Sequence, residues 1–179
     1  MIDPVIGAVL AGCFALLFAA AAIHKLRERA RFAEAFRAYG IVPSALSAGA
    51  ALVPLIEMAV AAGLLTRATR ATAAAAAAAL LVAYALAIGI NVVRGRRDIA
   101  CGCGGPADRR PIAAWMVWRN FALAALAAVA GVKWQARPLA GVDALTIGAG
   151  IVVAALLYLS LDELLGRSTG TVAPAGGAP

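Results

Sequence analysis

In the stretch RGRRDIACGCGGPADRRP, Cys101 and Cys103 stand two apart, with Gly102 between them and Gly104 after. Two thiols at this spacing can form a reversible bond. A disulfide needs α-carbons roughly 4.4–6.8 Å apart, which such neighbours reach only through a tight turn, and Gly102 permits the unusual dihedrals. The small ring is strained, and strained, exposed disulfides are the labile, oxidising ones. Arg94, Arg96, Arg97, Arg109 and Arg110 flank the pair, and nearby cations favour thiolate over thiol. Two other readings fit the same residues: incidental loop cysteines, or a two-thiolate site for a soft ion such as Cu(I) or Hg(II). A closed zinc site needs four ligands. Cys101, Cys103 and the lone His24 reach four only by drawing Cys13 out of its apolar block, so no resident metal is expected.

Five further polar residues sit in or beside apolar blocks. Glu57, in ALVPLIEMAV, is a carboxylate with no polar neighbour in sequence. Carboxylates at membrane depth are costly and tend to mark pathways or proton relays, and the plainer reading is a packing group paired with Arg119 or bonded to a neighbouring helix. Arg119 and Asn120 form a second polar pair in AAWMVWRNFALAAL, one turn from Trp115 and so within reach of a cation–π contact. Snorkelling to the nearer face is the alternative for Arg119. His24 opens a basic cluster at the end of the first block, and Asn91 closes the third. Cys13 has no polar company and reads as a small hydrophobe.

These residues are carried by a chain of 179 residues that is 64% hydrophobic and only 14% charged. Its mean hydropathy is +0.90. Soluble domains run nearer half apolar and a quarter charged. Five segments are long and apolar enough to cross a bilayer: about 4–23, 44–65, 71–93, 113–132 and 144–165. The reading is a single all-α, polytopic helical bundle over residues 1–167 with four to five membrane helices. A Gly-, Pro- and Ala-rich tail over 168–179 has no periodicity and is expected to be disordered. The N-terminal block puts its basic cluster after the apolar stretch and reads as a retained first span. Its helix is expected to continue past the membrane as an amphipathic stretch through Phe32, Phe36 and Tyr39, ended by Gly40 and Pro43. The small-residue run Ala73–Ala79 would let helices approach closely. Trp115 and Trp134 lie about 28 Å apart along the fourth block, the spacing of two interfacial belts.

The net charge of +7 does not point to nucleic acid, because the basic residues sit at the ends of apolar blocks. Three cysteines are too few for a disulfide scaffold or a four-thiolate cluster. The loops after blocks one and three and the C-terminus carry eleven Lys and Arg, against four in the other two loops. The positive-inside bias places the richer side in the cytoplasm and the N-terminus outside. In a five-span chain His24, Asn91, the Cys101–Cys103 loop, Arg119, Asn120, Asp162 and Glu163 share one membrane face. Counted from the block ends, Arg119 lies about 9 Å and Glu57 about 20 Å in from that face.

Together these features resemble the MauE family of methylamine-utilisation membrane proteins, among the broader DoxX-like proteins. The resemblance covers about residues 10–130. It rests on Lys25-Leu26 ending the first span, Pro54 with Glu57 in the second, the C-G-C-G run after the third, and Arg119-Asn120 in the fourth. It departs at Gly104, where the resemblance leads one to expect an aromatic, as in C-G-C-F-G. The resemblance implies a plasma-membrane helix bundle that works with a thioredoxin-like partner to mature disulfide-rich extracytoplasmic proteins, methylamine dehydrogenase among them. On this reading the chain has thiol–disulfide oxidoreductase chemistry: Cys101 and Cys103 exchange with the partner, while Glu57, Arg119, Asn120, His24 and Asn91 support the pair or relay protons. No cofactor is fixed by the sequence, and a bilayer quinone is a chemically suitable electron acceptor. A soft-metal transporter and a non-catalytic scaffold of a membrane redox complex are the alternatives. The charge count sets the loop in the cytoplasm while extracytoplasmic clients suit the other side.

Overall fold

The first helix begins at a well-made cap. The Asp3 carboxylate accepts a hydrogen bond from the Val5 N–H at 2.8 Å, and Pro4 occupies the first helical position, where its missing donor costs nothing. The computed structural model describes residues 3–41, 49–96, 98–99, 111–135 and 137–170. They form six helices: α1 Pro4–Arg27, α2 Arg29–Ala38, α3 Leu52–Leu65, α4 Arg70–Val93, α5 Ala114–Ala130 and α6 Gly141–Gly170. A 3₁₀ turn at 49–51 leads into α3. The all-helical membrane class read from the sequence is the class found. Helices α1, α4 and α6 are each long and apolar enough to span a bilayer, and α3 and α5 are shorter apolar helices packed between them. Cys101, Cys103, Arg97, Arg109, Arg110, Pro43, the start of the second apolar block and the end of the tail lie outside the described residues.

The interior is small. Phe14 and Phe18 of α1 meet Val60, Ala61 and Leu64 of α3, Ala74, Ala77 and Leu81 of α4, and Ala124 and Ala127 of α5 in one buried cluster. The alanine run on α4 works as the sequence suggests, since Ala73 and Ala74 lie where a methyl on Gly63 or Gly131 would come within about 3 Å. In lipid there is little hydrophobic drive between helices, so close backbone packing does this work. Helix α6 docks on α1 in the same way, with Gly12 under Ile151 and Gly150 under Val9. Its remaining surface, including Leu145, Val152, Leu156, Leu159 and Leu164, is more than half exposed. An apolar face of that extent belongs against acyl chains rather than water.

At the end of the bundle that holds the N-terminus, Arg137 bonds both Asp3 at 3.3 Å and Asp143 at 2.8 Å. The Val5 N–H and the Arg137 guanidinium hold the Asp3 carboxyl below its ordinary range. This latch is therefore intact above pH 3.8, the usual aspartate value, and is lost as pH falls through the lowered one. Trp134 lies at the same end, its ring 3.2 Å from the Arg70 guanidinium carbon and directly over Gly7. A methyl at position 7 would fall 2.2 Å from the indole. Gly7→Val is expected to displace the ring and to destabilise the solubilised protein by about 1–3 kcal/mol, read as a lower melting temperature. An unchanged melting temperature would show that the indole is free to swing aside.

Candidate functional site

At the opposite end, α1 and α3 place Lys25 and Glu57 against each other. Lys25 Nζ lies 2.5 Å from Glu57 Oε1, and the two side chains are 5% and 1% exposed. The same carboxylate oxygen accepts the Tyr84 hydroxyl at 2.7 Å from α4. The ammonium lies 5.3 Å from the Tyr84 ring centroid and 5.5 Å from that of Phe32 on α2. Three helices and the amphipathic stretch thus converge on one buried ion pair. Two sequence expectations are corrected here. Glu57 is not paired with Arg119, because α3 packs on α1 while Arg119 points from α5 to Asp162 on α6. Nor does Glu57 lie about 20 Å in from the shared membrane face, the depth expected from counting along its block. Its partner Lys25 is in the last turn of α1, which sets the carboxylate near the end of the bundle.

Helix α2 is not a continuation of α1. Glu28 breaks the helix with φ −114° and ψ 46°, so the chain turns and α2 runs separately to Gly40, whose φ of +60° ends it as expected. Its C-terminal end is fastened to α4. Asn91 Nδ2 donates to the Tyr39 carbonyl at 3.1 Å, and Arg96 reaches the Ala38 carbonyl at 2.8 Å and Asn91 Oδ1 at 3.3 Å. Asn91 also donates to the Ala87 carbonyl. With its amide satisfied on both sides, Asn91 positions α2 against α4. Between its fastened ends α2 buries no residue, and a cavity of about 280 Å³ lies beneath it against α3 and α4.

The segment carrying the two cysteines joins the bundle beside this cavity. The Ile112 N–H donates to the Ile99 carbonyl at 3.1 Å, so the flanks of the segment are tied together. Ile99 and Ile112 are buried with Ile88 and Met116, and Tyr39 and Trp115 pack on them. Arg119 forms an ion pair with Asp162 and stacks 5.1 Å from Trp115, the contact its spacing suggested. Asn120 is buried and donates to the Met116 carbonyl of its own helix at 2.8 Å. His24 is half-buried on α1 next to Lys25, and Cys13 is half-buried near the middle of α1. Asn91, Arg119, Asp162, the Lys25–Glu57 pair and both flanks of the cysteine segment therefore lie toward one end of the bundle. Among the described residues no three His, Cys, Asp or Glu side chains converge on a common point.

A family model described as "Methylamine utilisation protein MauE" matches residues 3–133. The chain belongs to the MauE family. It is 40% identical over 178 residues to "Methylamine utilization protein MauE" of Paracoccus denitrificans, covering 97% of this chain and 94% of that relative. The protein of the same name from Paracoccus versutus is 41% identical over 166 residues, 92% of this chain and 89% of the relative. That of Methylorubrum extorquens is 39% identical over 174 residues, 94% and 91%. No solved structure matches. The MauE match takes in α1 to α5, and with them Lys25, Glu57, Tyr84 and Arg119, whereas Asp162 on α6 lies beyond it.

Lys25, Tyr84 and Asp162 were not singled out as partners by sequence reasoning. Lys25 counted among the basic residues that commonly follow a span, and nothing in HKLRER separates a buried ammonium from its exposed neighbours. The signal that existed was the cost of an unpaired Glu57, which demands a cation or donors from another helix.

Proposed function

We propose that this MauE protein is a plasma-membrane redox component of methylamine utilisation, with its N-terminus outside. Cys101 and Cys103 cycle between dithiol and disulfide and exchange with a thioredoxin-like partner that serves disulfide-bonded clients. The printed names of the relatives support the methylamine role. Support for the redox reading comes from the 3.1 Å bond between Ile99 and Ile112. A segment whose two flanks are tied and buried is anchored to the bundle at both ends while its own residues change covalent state. Exchange would run through a mixed disulfide between one cysteine of the pair and the partner, which the second cysteine can resolve back to the Cys101–Cys103 bond. In the oxidising direction a partner thiolate attacks that bond, and the partner leaves as its disulfide with the pair reduced. Among the described residues, Glu57 and Lys25 form a buried acid–base pair toward that end.

The test is a redox titration of the membrane-embedded protein, followed by denaturation and mass-tagging of every free thiol. The chain has three cysteines. The reduced protein should carry three tags and the oxidised protein one, on Cys13. The ratio should change tenfold for about every 30 mV, as a two-electron couple requires. Three tags at every potential would end the redox reading.

A further inference from the structure

The cavity beneath α2 has a polar floor that the packing of the bundle does not use up. An ammonium carries three donors. Lys25 spends one on Glu57, and among the described residues no other hydrogen-bond acceptor meets it. Yet the side chain is 5% exposed and lines the cavity, so its remaining donors have no bulk water to turn to. The walls are the rings of Phe32, Phe36, Tyr39 and Tyr84, with the small side chains of Ala83 and Ala87 between them. The rim includes Ile41 and Ile56, each more than 40% exposed, and exposed apolar side chains on a membrane helix bundle belong against acyl chains. A ligand here must be apolar, enter from the bilayer, be thin enough to lie among aromatic rings, and carry a hydrogen-bond acceptor. It must also be neutral at that acceptor, because Glu57 already cancels the Lys25 charge at 2.5 Å and would repel a carboxylate or phosphate.

We propose that this cavity binds a lipid-soluble quinone, one carbonyl oxygen of which accepts a hydrogen bond from Lys25 Nζ. The site stands on the cavity alone. Its use rests on the reading above: a quinone is then the oxidant of the cysteine pair. Two S–H bonds break, one S–S bond forms, and two electrons with two protons convert the quinone to the hydroquinone. Tyr39 and Ile88 line the cavity and also pack in the cluster that buries Ile99 and Ile112, so the two places share a wall.

The experiment titrates the purified full-length protein, in lipid nanodiscs, with ubiquinone-1 and follows quenching of tryptophan fluorescence, with palmitate as a competitor. Saturable binding at one quinone per chain is expected, and palmitate should not displace it. Ala83→Phe, which fills the cavity from its exposed rim, should weaken binding at least tenfold with an unchanged circular dichroism spectrum. The paired change Lys25→Met with Glu57→Gln removes the donor without stranding a charge and should do the same. The double change Cys101→Ser with Cys103→Ser should bind quinone as the parent does, so a failed dithiol reading leaves this result standing. Equal quinone affinity in a folded Ala83→Phe protein overturns the proposal. Displacement by palmitate at comparable concentration also overturns it and makes the cavity a lipid site.

Discussion

Lys25→Met alone is expected to destabilise the protein by about 3–5 kcal/mol, a loss of more than a hundredfold in the folding equilibrium. The size follows from what is left behind rather than from what is removed. Lys25 and Glu57 are both buried, and the Tyr84 hydroxyl offers the carboxylate only one neutral donor in exchange. An unpaired carboxylate held in an apolar interior has lost its water without a counter-charge. Glu57→Leu alone strands the ammonium instead and should cost a similar amount. The combined change Lys25→Met with Glu57→Leu should recover most of either loss, because a well-packed apolar pair commonly equals or exceeds a buried ion pair in stability. Unfolding the solubilised proteins in a mixed-micelle denaturant series measures all four corners of the cycle. Additive effects, with the combined variant losing the sum of the two singles, would mean that the two residues do not act as a pair. The same variants separate packing from chemistry. If the combined variant is stable but no longer supports maturation of methylamine-utilisation clients, the pair is needed for the reaction as well as for the fold.

That pair also marks where the sequence stops being readable. The helices could be read because each is a run of apolar residues bounded by charge, and bilayer thickness translates run length directly into a span. The tight contacts at Gly63 and Gly131 were foreshadowed by the alanine run on α4, since small residues are what helices in lipid pack through. The Arg119–Trp115 contact could be read because both residues lie one turn apart on one helix. Glu57 could be flagged as costly but not matched. Its partner is 32 positions away in sequence, and choosing Lys25 over Arg119 needs the knowledge that α3 lies on α1 and that Arg119 pairs with Asp162 of α6. The break at Glu28 was missed for a related reason. ERARFAEAFRA has strong helical periodicity on both sides, and only the fastening of Tyr39 and Ala38 to Asn91 and Arg96 explains why the chain must turn there.

Replacing either loop cysteine should nearly abolish client maturation, and one of the two single variants should hold on to the partner, which the double variant cannot do. In the parent, a mixed disulfide with the partner is short-lived because the second thiol attacks it and closes the Cys101–Cys103 bond. Of Cys101→Ser and Cys103→Ser, the change that removes the resolving thiol leaves the attacking cysteine joined to the partner. The adduct should run as a heavier band on a non-reducing gel and disappear with reductant. The cysteine whose loss traps the partner is the resolving one, and the cysteine whose loss prevents trapping is the attacking one. The double variant should trap nothing and support no maturation, yet insert and melt as the parent does, because Ile99, Ile112 and Met116 supply buried contacts that hold the flanks of this segment. A soft-metal carrier would behave differently, since each single change would weaken ion uptake and none would capture a protein. A scaffold would tolerate all three changes. Maturation that persists in the double variant, with no adduct in either single one, would remove the dithiol from the mechanism and leave the Lys25–Glu57–Tyr84 cluster as the part of the molecule still requiring a chemical role.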